Sequence, residues 1–279
     1  MISLTFFNEN NPFNPENAPI YDVLHFYKIA FNTENGGKLK YGQGHYDFND
    51  GSMLFIAPNQ LVGSSKSEYN SERQGYILLI HPDFLLGYPL AKKIKEYGYF
   101  SYSVNEALYL SDSEKEVILS VYHIIKQEID SRVGDFSQDV IIAQIELLLT
   151  YANRFYKRQF VTRKVVNNDV LQKTEMILDK YFNRQETVKK GLPTVQFLSE
   201  ELHLSPGYLS DVLRSLIGVN AQQYIHLKLI EKAKEKLSTT NLSISEIAYE
   251  LGFEHSQSFS KLFKSKTNIS PLAFRQSFS

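Results

Sequence analysis

The sequence predicts an α+β chain: an N-terminal β-rich part forming a small barrel or sandwich, helices that follow it, and an all-α C-terminal part with two helix-turn-helix units. Three observations predict this. Short apolar runs separated by turn residues fill positions 21–103, apolar spacing becomes helical at Ser111, and a helix–turn–helix pattern is written twice near the C-terminus.

In the β-rich part, 21–31 mixes aromatic and β-branched residues in rough alternation, while 52–57 and 75–80 are apolar enough for buried strands. Gly36, Gly37, Gly44, Pro58 and Asn59 mark turns. Asn49-Asp50-Gly51 is expected to close a hairpin, since these residues tolerate the positive φ of tight hairpin turns. Strands at such even spacing suit a small barrel or sandwich.

Ser111-Asp112-Ser113-Glu114 is a capping box: the serine accepts a backbone N–H and the glutamate reaches back to the serine's own N–H. Val117, Val121, Ile124 and Ile125 then follow a helical stripe. A second helix is expected from Ser137, with Ile141, Ile145, Leu148, Ala152 and Phe155 at steps of four and three. That narrow seam suits packing on a partner helix, either the preceding one or the same helix of a second subunit. The expected divisions are 1–110 for the β-rich domain, 111–160 for a helical hairpin that could dimerise, 161–168 for a linker, and 169–279 for the C-terminal domain.

Helices are expected at 170–182, 194–202, 206–216, 221–237, 244–251 and 256–267, with a short piece near Pro271. Ser205-Pro206 is a helix start, because proline at the first helical position lacks only an N–H the helix would not use. Leu242 to Ile247 combines a capping box, Ser243 with Glu246, and a hydrophobic staple.

The duplication is residue by residue. Leu202 pairs with Leu251 and Leu204 with Phe253. After one extra residue in the second turn, Leu209 pairs with Phe259, Val212 with Leu262, Leu213 with Phe263 and Arg214 with Lys264. Small Ser199 and Ala248 occupy the places where the second helix of each unit would cross the first. The apolar residues face inward, leaving Gly207, Ser210, Asp211 and Arg214 on one second helix. On the other they leave His255, Ser256, Gln257, Ser260, Lys261 and Lys264. A short polar-faced helix laid across another is a common way to place side chains in the major groove of DNA. There Gln can pair with adenine, Lys with guanine, and Asp can accept from cytosine N4. Arg214 and Lys264 are expected to position on phosphate rather than specify.

Composition bounds the alternatives. The 279 residues contain no cysteine, which excludes disulfides, thiolate zinc sites and cysteine nucleophiles. The N-terminus lacks a basic segment and soon turns polar, so a secretory leader is not expected there. The most apolar stretch, 140–152, is interrupted by Gln144 and Glu146 and is too short to span a bilayer; a cytoplasmic location with no membrane association follows as the expectation. Net charge is −1, yet residues 169–279 hold 14 Lys and Arg against 12 Asp and Glu. Arg154, Lys157, Arg158, Arg163 and Lys164 form a run free of acidic residues, read either as phosphate contacts or as a solvated helix end.

Residues 170–278 resemble the DNA-binding domain of the AraC/XylS family of bacterial transcription regulators, through Ser245 to Phe253, Phe259 to Lys264, Ile269-Ser270-Pro271 and Phe274-Arg275. The resemblance implies two helix-turn-helix units joined by a long helix, here 221–237, with both recognition helices on one face of the DNA. Three departures stand out. Asn268 replaces a usual Gly but tolerates the left-handed conformation. Leu229 replaces a common Arg, and Gly207 gives the first recognition helix little side chain. Gly44 to Pro58 resembles part of the cupin-like sensor domain of such regulators. Enzymatic cupins hold a metal with a His-x-His pair, a Glu and a later His. Here His45 is followed by Asp47, Asn59 and Gln60 come after Pro58, and His25, His45 and His81 stand apart. No metal, cofactor or catalytic residue is expected. Tyr41, His45, Tyr46, Phe48 and Phe55 are candidates for an aromatic effector pocket, or equally for plain barrel core.

The expected function is a one-component transcription regulator binding double-stranded DNA. A small effector or homodimerisation through 111–160 would modulate it, and RNA polymerase would be a further partner. The alternative is a metal-dependent cupin enzyme with a helical appendage, which the missing ligand pairs disfavour. A methyl-accepting DNA-repair regulator would need a nucleophilic cysteine and is excluded.

Overall fold

Apolar residues on alternating positions of the N-terminal strands give them two faces to cover, and the fold covers one with helices. The computed structural model describes residues 1–7, 21–34, 38–41, 44–47, 51–63, 74–103, 106–131, 137–162, 164–183 and 186–278. The chain divides into two compact units, Met1–Thr162 and Arg163–Ser279.

The first unit contains β1 (Ile2–Phe7), β2 (Tyr21–Val23), β3 (Tyr27–Glu34), β4 (Lys38–Tyr41), β5 (Gly44–Asp47), β6 (Ser52–Ile56), β7 (Leu61–Gly63), β8 (Gln74–Ile80) and β9 (Leu108–Tyr109). A short α1 (Leu90–Lys93) lies between β8 and β9, and α2 (Asp112–Asp130) and α3 (Ser137–Thr162) follow. Five strands form an antiparallel sheet in the order β1-β8-β3-β6-β9. β2 with β7 and β4 with β5 form separate two-stranded ladders. The class is mixed, with α and β parts segregated along the chain; among the described residues the three ladders are not joined into a closed barrel.

The expected hairpin at 49–51 does not form between the flanking strands. β5 pairs with β4, and β6 enters the main sheet between β3 and β9. Every residue of β6 is buried; β3 pairs along its whole length on one edge, and β9 pairs Ser52 and Met53 on the other, so the start of β6, where a hairpin partner would lie, is already taken. Gly51 takes φ 78° and donates its N–H to Asn32 O at 2.9 Å, which turns the chain into the sheet. Asn49 and Asp50 lie outside the described residues.

One sheet face carries Ile29, Phe31, Met53, Phe55, Leu78 and Ile80, all sealed from solvent. Tyr122 of α2 tilts against Phe31 and donates to Ile29 O, and Tyr156 of α3 meets Phe55. The seam Ile141, Ile145, Leu148, Ala152 and Phe155 is buried within this unit, where α3 packs on α2. The opposite face carries a smaller cluster of Ala30, Leu54, Ile56 and Ala107. Glu114 accepts the Ser111 N–H at 2.8 Å, which completes the expected cap of α2.

The last turns of α3 are stitched to the sheet edge. Buried Gln159 accepts from Tyr109 N at 2.8 Å and donates to Ala107 O at 3.1 Å, supplying β9 with the bonds a further strand would have made. Arg158 forks onto Glu114 and donates to Tyr109 O at 2.6 Å. Of the basic run, Arg158 is therefore committed to a structural pair, while Arg154 and Lys157 stay exposed and Arg163 lies outside the described residues.

The second unit is helical: α4 (Lys164–Asn183), α5 (Glu186–Lys190), α6 (Val195–Leu202), α7 (Pro206–Ile217), α8 (Ala221–Thr239), α9 (Ile244–Glu250), α10 (Ser256–Thr267) and α11 (Pro271–Gln276). α4 starts at Lys164, within the segment expected to be linker, because Asn167 is buried rather than solvated. α5 has no counterpart in the sequence-based expectation. One continuous core joins the elements, with Leu198, Leu209 and Leu213 from the first motif, Ile225, Leu229, Ala233 and Leu237 from α8, and Ile247, Phe259 and Phe263 from the second.

Replacing Gln159 by Leu keeps the volume but strands two buried backbone groups. It is expected to lower stability by roughly 2–4 kcal/mol, read as an earlier unfolding transition of the N-terminal unit by calorimetry.

Candidate nucleic-acid interface

Each helix-turn-helix is closed by the same hydrogen bond. In the first, α6 ends at His203 in the left-handed region (φ 55°), and Leu204 N donates to Ser199 O at 2.9 Å. In the second, Gly252 takes φ 91°, and Phe253 N donates to Ala248 O at 3.0 Å. These are the paired positions of the duplication, and both carbonyls belong to the small residues Ser199 and Ala248, which are buried. The bond from beyond a left-handed residue back into the last turn is the usual way to satisfy carbonyls at a helix end.

The second helices start where expected. Ser205 accepts from Tyr208 N at 3.2 Å with Pro206 at the first position of α7, and α10 starts at Ser256 after His255. Leu209, Val212, Leu213, Phe259 and Phe263 are fully buried, and Leu262 is half-buried. None of the ten polar candidates is buried: Arg214, His255, Gln257, Lys261 and Lys264 are exposed, while Gly207, Ser210, Asp211, Ser256 and Ser260 are half-exposed. Gly207, Ser210, Asp211 and Arg214 fall at spacings of three, four and seven, as do Gln257, Ser260, Lys261 and Lys264. Each set therefore lines one face of its helix.

Electrostatically the two faces differ. Arg214 Nη1 donates to Asp211 Oδ1 within α7. Lys261, Lys264 and the exposed Lys266, all on α10, make no ion pair among the described residues. Burial, and then the charge of Lys266, hold the His226 imidazole of α8 below its ordinary range, so it is neutral at pH 7. Lys228 of α8 is held above the usual ammonium range by its hydrogen bond to Glu175.

Leu229 is buried in the core, so no groove contact comes from that position. Asn268 does take the left-handed conformation (φ 63°) at the end of α10. Arg275 donates to Leu237 O at 3.3 Å and ties α11 to the end of α8.

Sequence reasoning missed the residues that lock the two motifs together. Thr187 of α5 donates to Glu250 O at 2.5 Å, at the end of α9. Gly191 then lies against Gly252: a Cβ on Gly252 would stand 2.7 Å from Gly191 C and 3.0 Å from Leu192 N. Tyr181 OH donates to Gly191 O at 3.1 Å, holding that backbone in place. The glycine at 252 was visible in the repeat, opposite His203; the contact it permits was not.

Of the effector candidates, Phe55 lies in an aromatic core with Tyr99, Phe100 and Tyr156. Tyr41, His45 and Tyr46 fall on the β4–β5 ladder, where Lys40 registers with His45 and Leu39 with Tyr46, and Phe48 lies outside the described residues. His81 Nδ1 accepts from Asp83 N at 3.2 Å and caps the turn at 82–85. Among the described residues no three His, Asp or Glu side chains gather as metal ligands would, and no helix is long and apolar enough to cross a membrane.

A helix-turn-helix domain family matches residues 198–277. The chain is 24% identical over 256 residues to the uncharacterized HTH-type transcriptional regulator YfiF of Bacillus subtilis, covering 90% of this chain and 76% of that protein. It is 37% identical over 87 residues to the uncharacterized HTH-type transcriptional regulator YisR of the same organism, covering 31% of this chain and 30% of that one. Among solved structures, the C-terminal domain of the two-component response regulator yesN from Fusobacterium nucleatum is similar at 36% identity. That match covers 36% of this chain and 96% of that one, with a TM-score of 0.32.

Gly252→Ala would force a side chain onto left-handed backbone and into the 188–192 segment. A loss of roughly 2 kcal/mol or more is expected, measured as a lower melting temperature of the C-terminal unit, whereas His203→Gly is expected to be nearly neutral.

Proposed function

We infer that this chain, whose C-terminal domain is an AraC-type helix-turn-helix domain, is a one-component transcription regulator that reads double-stranded DNA with α7 and α10. The observation that carries this is the pair of register-matched polar faces, at 207–214 and 257–264, mounted on one continuous core. A single body bearing two such helices can engage two stretches of major groove together.

In this reading α10 supplies most of the grip. Gln257 and Lys261 meet base edges, Gln suiting adenine and Lys guanine. Lys264 meets phosphate, and His255, Ser256 and Ser260 fill the adjoining surface. On α7, Ser210 and Asp211 offer short polar contacts, and Gly207 lets the backbone approach closely.

The N-terminal unit is proposed to be a cupin-like sensor, on the resemblance of Gly44 to Pro58 to such domains. Homodimerisation is proposed through the outer face of α3, where Val140, Ala143 and Leu147 lie exposed along one side. An effector that altered the dimer would alter operator occupancy, a coupling between sites rather than a reaction.

Selection of bound duplexes from a random pool tests the reading. The wild-type chain is expected to enrich a bipartite site. Lys261→Ala and Gln257→Ala are expected to relax preference in one half of it, each costing about 1–3 kcal/mol against the enriched sequence. Unchanged preference in both variants would remove α10 from base reading.

A further inference from the structure

The duplication provides an internal comparison: each position on the exposed face of α7 has its counterpart on α10. Gly207, Ser210, Asp211 and Arg214 stand where the second motif has Gln257, Ser260, Lys261 and Lys264. At one of these positions the charge is reversed, Asp211 against Lys261. The consequence is local. On α10, Lys261 and Lys264 are two cations one turn apart, with no ion pair among the described residues. On α7, the same spacing brings Arg214 onto Asp211.

The geometry favours the pair while DNA is absent. The acid stands one turn N-terminal to the base, the stabilising order on a helix, and Arg214 lies in the last turn, where the helix dipole favours a cation. The Asp211 side chain is 28% exposed and that of Arg214 56% exposed, so the carboxylate is the more sheltered partner and the guanidinium folds back onto it.

We propose that Asp211 is a specificity-determining residue: its carboxylate stands in for a phosphate, holds Arg214 off the DNA backbone and keeps the α7 face neutral. The first motif then engages only where base edges satisfy it, while Lys264 on α10 supplies a sequence-independent contact. Without Asp211, Arg214 would add one phosphate contact on every sequence alike. Contacts of that kind raise non-specific and specific affinity together, and the ratio of the two decides occupancy against a genome of competing sites. The proposal rests on the DNA-reading function inferred above.

The test is fluorescence anisotropy of the full-length chain with a labelled random-sequence duplex of about two dozen base pairs, titrated over a range of KCl concentrations. Wild type is compared with D211N, D211S, R214A, D211N/R214A and K264A. D211N and D211S are expected to bind the random duplex several-fold more tightly, and to steepen the slope of log affinity against log salt by about 0.9. That gain is expected to vanish in D211N/R214A. K264A is expected to make the slope shallower by a similar amount. Unchanged or weaker binding by D211N and D211S would overturn the proposal. So would a gain that persists without Arg214, since it would then be a bare loss of negative charge. If K264A behaves as stated and the Asp211 variants do not, only this proposal falls. If the wild-type chain binds the duplex with no salt dependence, the regulator reading falls with it.

Discussion

Helix α8 is the part on which the C-terminal unit depends. Its buried side, Ala221, Ile225, Leu229, Ala233 and Leu237, belongs to the same core as the inward faces of both helix-turn-helix motifs. Each large aliphatic side chain fully buried there contributes roughly 1.5–3 kcal/mol. The ion pairs along its rim, Lys228 with Glu175 and Lys236 with Glu250, are partly exposed and contribute about 1 kcal/mol or less each. The apolar seam therefore decides the arrangement and the charges trim it. A single helix still leaves the second motif free to roll about the α8 axis. The contact of Thr187 with Glu250, and of Gly191 with Gly252, is a second attachment off that axis. Two attachments hold α10 in a set orientation to α7, which a protein reading two stretches of one duplex needs.

The same constraint explains how the two motifs differ. Both turns need one left-handed residue to let the chain bond back into its first helix. In the first motif that residue is His203, which adopts φ 55° and is exposed. In the second it is Gly252, because Gly191 and Leu192 stand where a side chain would begin. The duplicated fold tolerates a side chain at the free turn and excludes it at the docked one. The residue identity follows from the neighbour, not from the turn alone.

How much of this was legible depends on how local the signal is. Ser205-Pro206 and the Ser243–Glu246 box set the starts of α7 and α9 because a cap is made within four residues of sequence. The polar faces of α7 and α10 were legible from the repeat, since two correlated copies carry more information than one. The 49–51 turn misled because its composition speaks for a hairpin, while strand pairing is settled by the two edges of β6, which sequence spacing does not encode. The start of α4 was hidden by Val165, Val166, Asn167 and Asn168, residues of low helix propensity that tertiary burial overrides at Asn167. α5 is five residues long and held by a bond to a residue 63 positions away, so no local pattern announces it.

Net charge alone argues weakly for a polyanion partner, and the ion pairs explain why that is misleading. Much of the positive charge of the C-terminal unit is matched where it stands: Lys173 with Asp169, Lys190 with Glu186, Lys228 with Glu175 and Glu231, Lys232 with Glu235, Lys236 with Glu250, and Arg214 with Asp211. What stays unmatched among the described residues includes Lys261, Lys264 and Lys266, three cations within six residues of α10. Screening confines charges to a neighbourhood of about 8–10 Å at physiological salt, so a surface responds to the sign of its own patch and not to the total. A near-neutral domain with a cationic recognition helix can hold DNA where that helix meets it, without being drawn to polyanions over its whole surface.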